Sequence, residues 1–160
     1  MQTKLLGALA AAALLAACAS EDTTGAATGA GAAGGATAGA VRPGSQEDLV
    51  ANVGDRVFFD TDSSSVRGDQ RATLQRQAAW LAQYPQVQVT VEGHADERGT
   101  REYNLALGQR RANAARDGLV AQGVAAARVN TISYGKDRPA ALGSTADAWA
   151  QNRRAVTVVR

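Results

Sequence analysis

Cysteine, histidine and methionine each occur once in this chain of 160 residues, proline three times, and aromatic side chains make up only 4%. The single cysteine, Cys18, excludes an intramolecular disulfide. The single histidine, His94, excludes any metal site that needs two histidines or two cysteines. A Ser-His-Asp enzyme would have to be built on His94 alone. Neither a P-loop nor a nucleophile elbow is present. Charge of one sign is also lacking: 17 basic and 15 acidic residues leave a formal net charge of +2. So small an excess sets up no field that would draw a polyanion, and nucleic acid is not an expected partner. The longest apolar run, Leu5 to Ala17, is short of the roughly 20 residues that span a bilayer.

What is present divides into three parts. Lys4 precedes that apolar run, a combination that reads as a secretory signal peptide over residues 1–17. Leu15-Ala16-Ala17-Cys18 then resembles the bacterial lipobox, an aliphatic residue and two small ones before a cysteine. The resemblance implies cleavage before Cys18 and acylation of that residue. Two or three acyl chains would anchor the protein stably, where one holds only marginally. Residue 19 is Ala. In the lipoproteins this resembles, Asp at that place retains the protein in the inner membrane, so its absence implies the outer membrane, with the domain facing the periplasm.

Residues 19–44 contain 7 Gly, 9 Ala and 4 Thr. Such a stretch buries too little surface to offset its ordering entropy, so residues 18–44 are expected to be the lipidated cysteine and a flexible linker. Its r.m.s. span would be roughly 28 Å.

From Ser45 to Arg160 the large apolar residues appear, enough for one domain. Val57–Phe59 reads as a strand and residues 68–83 as a helix stopped by Pro85. Val87, Val89 and Val91 alternate with polar residues in a second strand ended by Gly93. Residues 102–122 form a second helix, with Leu105, Gly108, Ala112, Ala115 and Leu119 on its apolar face and Gly123 as its stop. Residues 129–134 are a strand, 146–152 a short helix and 155–159 a last strand. The order β-α-β-α-β-(α)-β predicts an α+β domain with helices packed on one sheet.

The densest polar run is Gly93-His94-Ala95-Asp96-Glu97-Arg98-Gly99-Thr100, at a strand end leading into a helix. Loops held by a sheet often carry function. On the following helix Asn104, Leu107 and Arg111 share one stripe, expected to border the core without being buried in it. Asp96 and Arg111 could then face each other across a cleft and receive a zwitterion, the carboxylate taking an ammonium and the guanidinium forking onto a carboxylate. Equally, Asp96, Glu97, Arg98 and Arg111 could be solvated salt bridges worth about 0–1 kcal/mol. An acid/base or metal site from His94, Asp96 and Glu97 is a poor donor set, and a carboxylate pair from Asp62 and Asp96 is the other enzymatic arrangement to weigh. The chain is not expected to be an enzyme or to need a cofactor. His94 is read as a structural hydrogen-bonding residue at the strand end.

The run Val89–Thr100, with Glu102-Tyr103-Asn104, Leu107–Asn113, Ser133–Lys136, Pro139-Ala140 and Asn152–Val156, is similar to the peptidoglycan-associated lipoproteins. Those belong to the OmpA-like peptidoglycan-binding domains. The resemblance covers about residues 53–160 and implies an OmpA-like βαβαβ(α)β sandwich on one mixed sheet. It also implies non-covalent binding of the meso-diaminopimelate of the peptidoglycan stem peptide, with no enzymatic step. Asp96 and Arg111 fall at the family's ligand-binding Asp and Arg. Arg98 and Leu107 match further pocket positions, and Asp62 matches an acidic one in a segment, Phe59–Ser64, that departs from the family pattern. Asn104 and Asn152-Arg153-Arg154 also match and are read first as residues that fix the helix and loop. The partners implied are peptidoglycan, outer-membrane lipid through Cys18, and TolB with the other Tol–Pal components. A lipid-anchored module that binds TolB with little wall binding is the alternative.

Overall fold

The computed structural model describes residues 41–160. The expected signal segment, Cys18 and most of the expected linker lie outside the described residues. Eight elements follow in chain order: α1 (Gln46–Asn52), β1 (Arg56–Phe58), α2 (Arg71–Gln83), β2 (Val89–His94), α3 (Arg101–Ala121), β3 (Val129–Gly135), α4 (Ala146–Asn152) and β4 (Arg154–Val159). The sheet order is β1-β4-β2-β3. β4 runs antiparallel to both β1 and β2, and β2 runs parallel to β3. This is the mixed sheet of an α+β domain. Among the described residues no helix is long and apolar enough to cross a membrane.

Alternation along the strands sets the core. Val57, Val89, Val91, Val129 and Ala155 point to the helix-covered face and are buried. Leu74, Ala78 and Leu81 of α2 and Ala112, Ala115 and Leu119 of α3 meet them from above. Each fully buried large side chain stabilises the fold by about 1.5–3 kcal/mol relative to exposure.

α1 is an element the strand-and-helix pattern does not announce. Ser45 accepts a hydrogen bond from the Asp48 amide at its N-terminus. The Asp48 carboxylate in turn accepts from the Gly44 amide (2.8 Å), Asn52 Nδ2 (2.7 Å) and Trp80 Nε1 (2.9 Å). These bonds hold its carboxyl below the usual range and pin α1 to α2.

Several expected boundaries move, the first being that β1 ends at Phe58 and leaves Phe59 outside the strand. Val87 lies outside β2; its amide closes a turn on the Tyr84 carbonyl, and its own carbonyl accepts from Arg128. Residues 68–70 form a 3-10 turn before α2 proper. Gly93 does not end β2, which continues to His94. Gly93 is instead where α3 crosses the sheet, and a Cβ there would collide with the Gly108 carbonyl. Gly123, at φ 96°, does terminate α3 as expected.

Candidate binding groove

The site begins at the C-terminal end of β2. Its pairing with β3 shifts register between Gly93 and His94. Such an irregularity re-aims the side chains that follow it. The Ala95 amide then bonds the Gly135 carbonyl, and the chain turns so that Asp96 faces a groove of about 480 Å³. Thr100 caps α3 by accepting from the Tyr103 amide at 3.2 Å. Asn104 Nδ2 donates to the carbonyls of Arg98 (2.8 Å) and Thr100 (3.1 Å) and fixes the loop. Asn104 thus has the fixing role read for it, and it also lines the groove.

Asp62, Asp96, Arg98, Leu107 and Arg111 all line this one groove. The expectation that the Asn104–Leu107–Arg111 stripe only borders the core is incorrect. Arg111 is 0% exposed, Asn104 2% and Leu107 4%. The reason lies in the segment after β1, which folds over α3 and supplies acceptors that a helix-face argument cannot see. Arg111 Nε donates to the Ser63 carbonyl (2.8 Å), Nη2 to Asp60 (3.0 Å) and Nη1 to His94 (2.9 Å). The Phe59 ring lies 5.3 Å from its guanidinium carbon.

Among the described residues Arg111 forms no ion pair: its three acceptors are neutral carbonyls. A guanidinium has five N–H groups, so two remain for another partner. Burial, and then the charge of Arg153, depress its pKa to about 10, and it stays cationic at neutral pH. Asp96 and Asp62 favour its charge from across the groove, and a buried cation whose direct acceptors are all neutral carbonyls still favours an anion there.

Asp96 is engaged differently from the simple facing pair. Arg98 closes a fork on it, Nη2 to Oδ2 at 2.7 Å and Nε to Oδ1 at 3.1 Å, and the Arg98 amide adds a bond at 3.2 Å. Burial alone would raise the Asp96 carboxyl, but these bonds outweigh it and hold the group below the usual range. The Arg98 guanidinium also lies 4.2 Å from the centre of the Trp149 ring, whose Nε1 donates to Glu97. A ligand ammonium at Asp96 must therefore take over bonds that Arg98 now makes. The salt-bridge reading thus describes Arg98 and does not describe Arg111.

Asp62 has φ 56°, the left-handed region that Asp tolerates better than most residues. It accepts from the Tyr103 hydroxyl. Sequence reasoning named Tyr103 only as part of a motif. Its place three residues into α3, directly after the loop, is the signal that would have marked it.

His94 corrects the reading of a hydrogen-bonding histidine. It is 2% exposed and, among the described residues, neither ring nitrogen has a hydrogen-bond partner. Glu92 Oε2 stays 3.7 Å from Nε2. Burial, with the charges of Arg154 and Arg138, lowers its pKa to about 4, so the ring is neutral. Asn152 has the fixing role read for it, its side chain holding the amides of Ala140 and Ala141. Arg154 likewise bonds the Arg138 carbonyl. Among the described residues no three His, Cys, Asp or Glu side chains converge to hold a metal.

A family model for the OmpA family matches residues 58–153. The chain is 65% identical over 122 residues to the peptidoglycan-associated lipoprotein of Agrobacterium fabrum, covering 76% of this chain and 69% of that one. It is 59% identical over 152 residues to the peptidoglycan-associated lipoprotein of Mesorhizobium japonicum, covering 95% and 89%. The crystal structure of the peptidoglycan-associated lipoprotein from Burkholderia pseudomallei is 48% identical and superposes with a TM-score of 0.65, over 66% of this chain and 90% of that one. The chain belongs to the OmpA family, in the branch formed by the peptidoglycan-associated lipoproteins. The expected fold agrees with this membership, and the family is non-enzymatic.

Proposed function

We propose that this protein is an outer-membrane lipoprotein that grips the meso-diaminopimelate of the peptidoglycan stem peptide without covalent chemistry. Acyl chains on Cys18 hold one end of the chain in the membrane, and the groove holds the wall at the other. The observation that carries the reading is Arg111, a buried guanidinium with three neutral acceptors and two unspent N–H groups at the groove floor. The distal centre of diaminopimelate bears a carboxylate and an amine. Arg111 takes the carboxylate in a fork. Asp96 takes the amine in exchange for Arg98, and Asp62, lining the same groove, is a second acid. Leu107 packs beneath the ligand's methylene chain.

The name of the relatives supports association with peptidoglycan. The Tol–Pal assembly, with TolB as partner, is part of the same reading and rests on family resemblance. Two attachments on one chain raise the effective concentration of each, so a weak, reversible grip suffices and lets the wall grow beneath the anchor.

Co-sedimentation with isolated sacculi tests the wall reading. The full chain should pellet with diaminopimelate-type sacculi, and free diaminopimelate-containing muropeptide should release it. A folded chain that stays in the supernatant would refute wall binding and favour the protein-interaction module.

A further inference from the structure

The chain enters the domain at one end of the sheet, and the groove lies at the other. Asp96 sits just past the C-terminal end of β2. Gly44 sits by the opposite end. A Cβ on it would meet the Tyr84 ring at 3.2 Å, and the Tyr84 carbonyl closes the turn that leads into β2. Between Gly44 and the groove stand α1, β1 and the loop after it. β1 is three residues long. The loop follows at once, and its Asp60 and Ser63 carbonyls hold Arg111. A pull on the chain before Val41 that reached β1 would therefore act on the wall of the groove.

α1 stands between that pull and β1, and it is fastened to three parts of the domain. The Gln46 amide completes the edge of β4 beyond the residues that β1 pairs. Its Nε2 donates to the Thr157 carbonyl at 3.3 Å, and its Oε1 accepts from the Val159 amide at 2.7 Å. Asp48 is buried and accepts from Trp80 Nε1 of α2 at 2.9 Å. Leu49, 0% exposed, belongs to the core. Behind α1, Gln77 Nε2 donates to the Gly54 carbonyl at 2.7 Å, and Gln77 Oε1 accepts from the Thr157 hydroxyl at 2.9 Å. A helix of seven residues is not stable alone. α1 exists through these fastenings and yields only when they do.

We infer that α1 is a strain-relief clamp. It takes the pull of the membrane anchor and keeps it off β1 and the Asp60–Ser63 loop, so the groove stays closed on the wall under load. The inference rests on the tether reading of Cys18 and the groove. It gives a mechanical role to Gln46, Asp48 and Trp80, none of which lines the groove.

Single-molecule pulling tests it. The full chain, expressed without acylation, is held by a handle on Cys18, its only cysteine, and binds a bead coated with sacculi. Trp80→Phe removes a donor to Asp48 and keeps an aromatic ring. Gln46→Ala frees the edge of β4. Both variants should co-sediment with sacculi as the unaltered chain does when no load acts. Each should shorten the lifetime on the bead at fixed load about ten-fold. Val129→Ala weakens the core from β3, the opposite edge strand, and should not shorten it. Equal loaded lifetimes for the unaltered chain and both variants would overturn the clamp. So would an equal shortening in Val129→Ala, or loss of binding without load in variants that melt as folded proteins. Failure of the unaltered chain to bind the bead would instead refute the wall reading. A second handle on Arg101→Cys, exposed at the start of α3, then replaces the bead. Unfolding at fixed load should be faster in Trp80→Phe and Gln46→Ala than in Val129→Ala, and equal rates would overturn the clamp.

Discussion

The backbone carbonyl of His94 accepts a hydrogen bond from Arg111 Nη1 at 2.9 Å, while the imidazole of the same residue lies buried with no partner on either nitrogen among the described residues. The strand end that hides a neutral histidine therefore also fixes the groove's buried cation.

This coupling gives a pH dependence with a definite sign. The His94 pKa falls from the ordinary 6.5 to about 4 on folding. Between those values the unfolded chain binds the proton and the folded one does not. His94 burial thus leaves stability undiminished above about pH 6.5 and weakens the fold progressively as pH drops toward 4. The loss should reach roughly 2–3 kcal/mol. Urea denaturation at pH 7, 6 and 5 would measure it. His94→Leu, which has no ring nitrogen to protonate, should flatten the dependence between pH 6.5 and 5, above the range where carboxylates dominate.

Arg111 should prove to be structural and ligand-binding at once. Arg111→Ala leaves the carbonyls of Asp60, Ser63 and His94 without their donor. It should destabilise the domain by about 3 kcal/mol or more. Arg111→Lys keeps the charge and one or two of these bonds but cannot fork. It should stay folded, as judged by thermal melting, and bind diaminopimelate muropeptide at least ten-fold more weakly.

Glycine at the α3–β2 crossing should be irreplaceable. Gly93→Ala would drive its methyl into the Gly108 carbonyl. Both elements are backbone there, so neither can yield cheaply. A loss of about 3 kcal/mol is expected. Gly68→Ala, with open space around it and an ordinary φ, is the control and should change stability by less than about 0.5 kcal/mol. Denaturation midpoints of the two variants would check this.

Much of this was legible in the sequence, because local signals and tertiary structure agree. Val89 and Val91 alternate with polar residues and do form a central strand, and Leu74, Ala78 and Leu81 mark the buried face of α2. Asp96 and Arg111 fall in the same groove, as the motif suggested. Three features depended on contacts that no periodicity encodes. α1 is seven residues long, too short for a clear apolar stripe; its signal was the Ser45–Asp48 cap. The burial of Arg111 comes from carbonyls some fifty positions earlier in the chain. The burial of His94 depends on Tyr134 and Arg154 from two neighbouring strands, and the nearest carboxylate, that of Glu92, stops 3.7 Å short of its ring.

The most direct test of the account is a paired titration of the full chain with two muropeptides, one carrying meso-diaminopimelate and the other lysine at the same position. Lysine lacks the distal carboxylate and would leave the two remaining N–H groups of Arg111 without an anionic partner. The account predicts affinity roughly 10- to 150-fold lower for the lysine form, and a much smaller difference in Arg111→Lys. Equal affinity for the two ligands in the unaltered protein would contradict it, because the buried guanidinium could then not be what reads the wall.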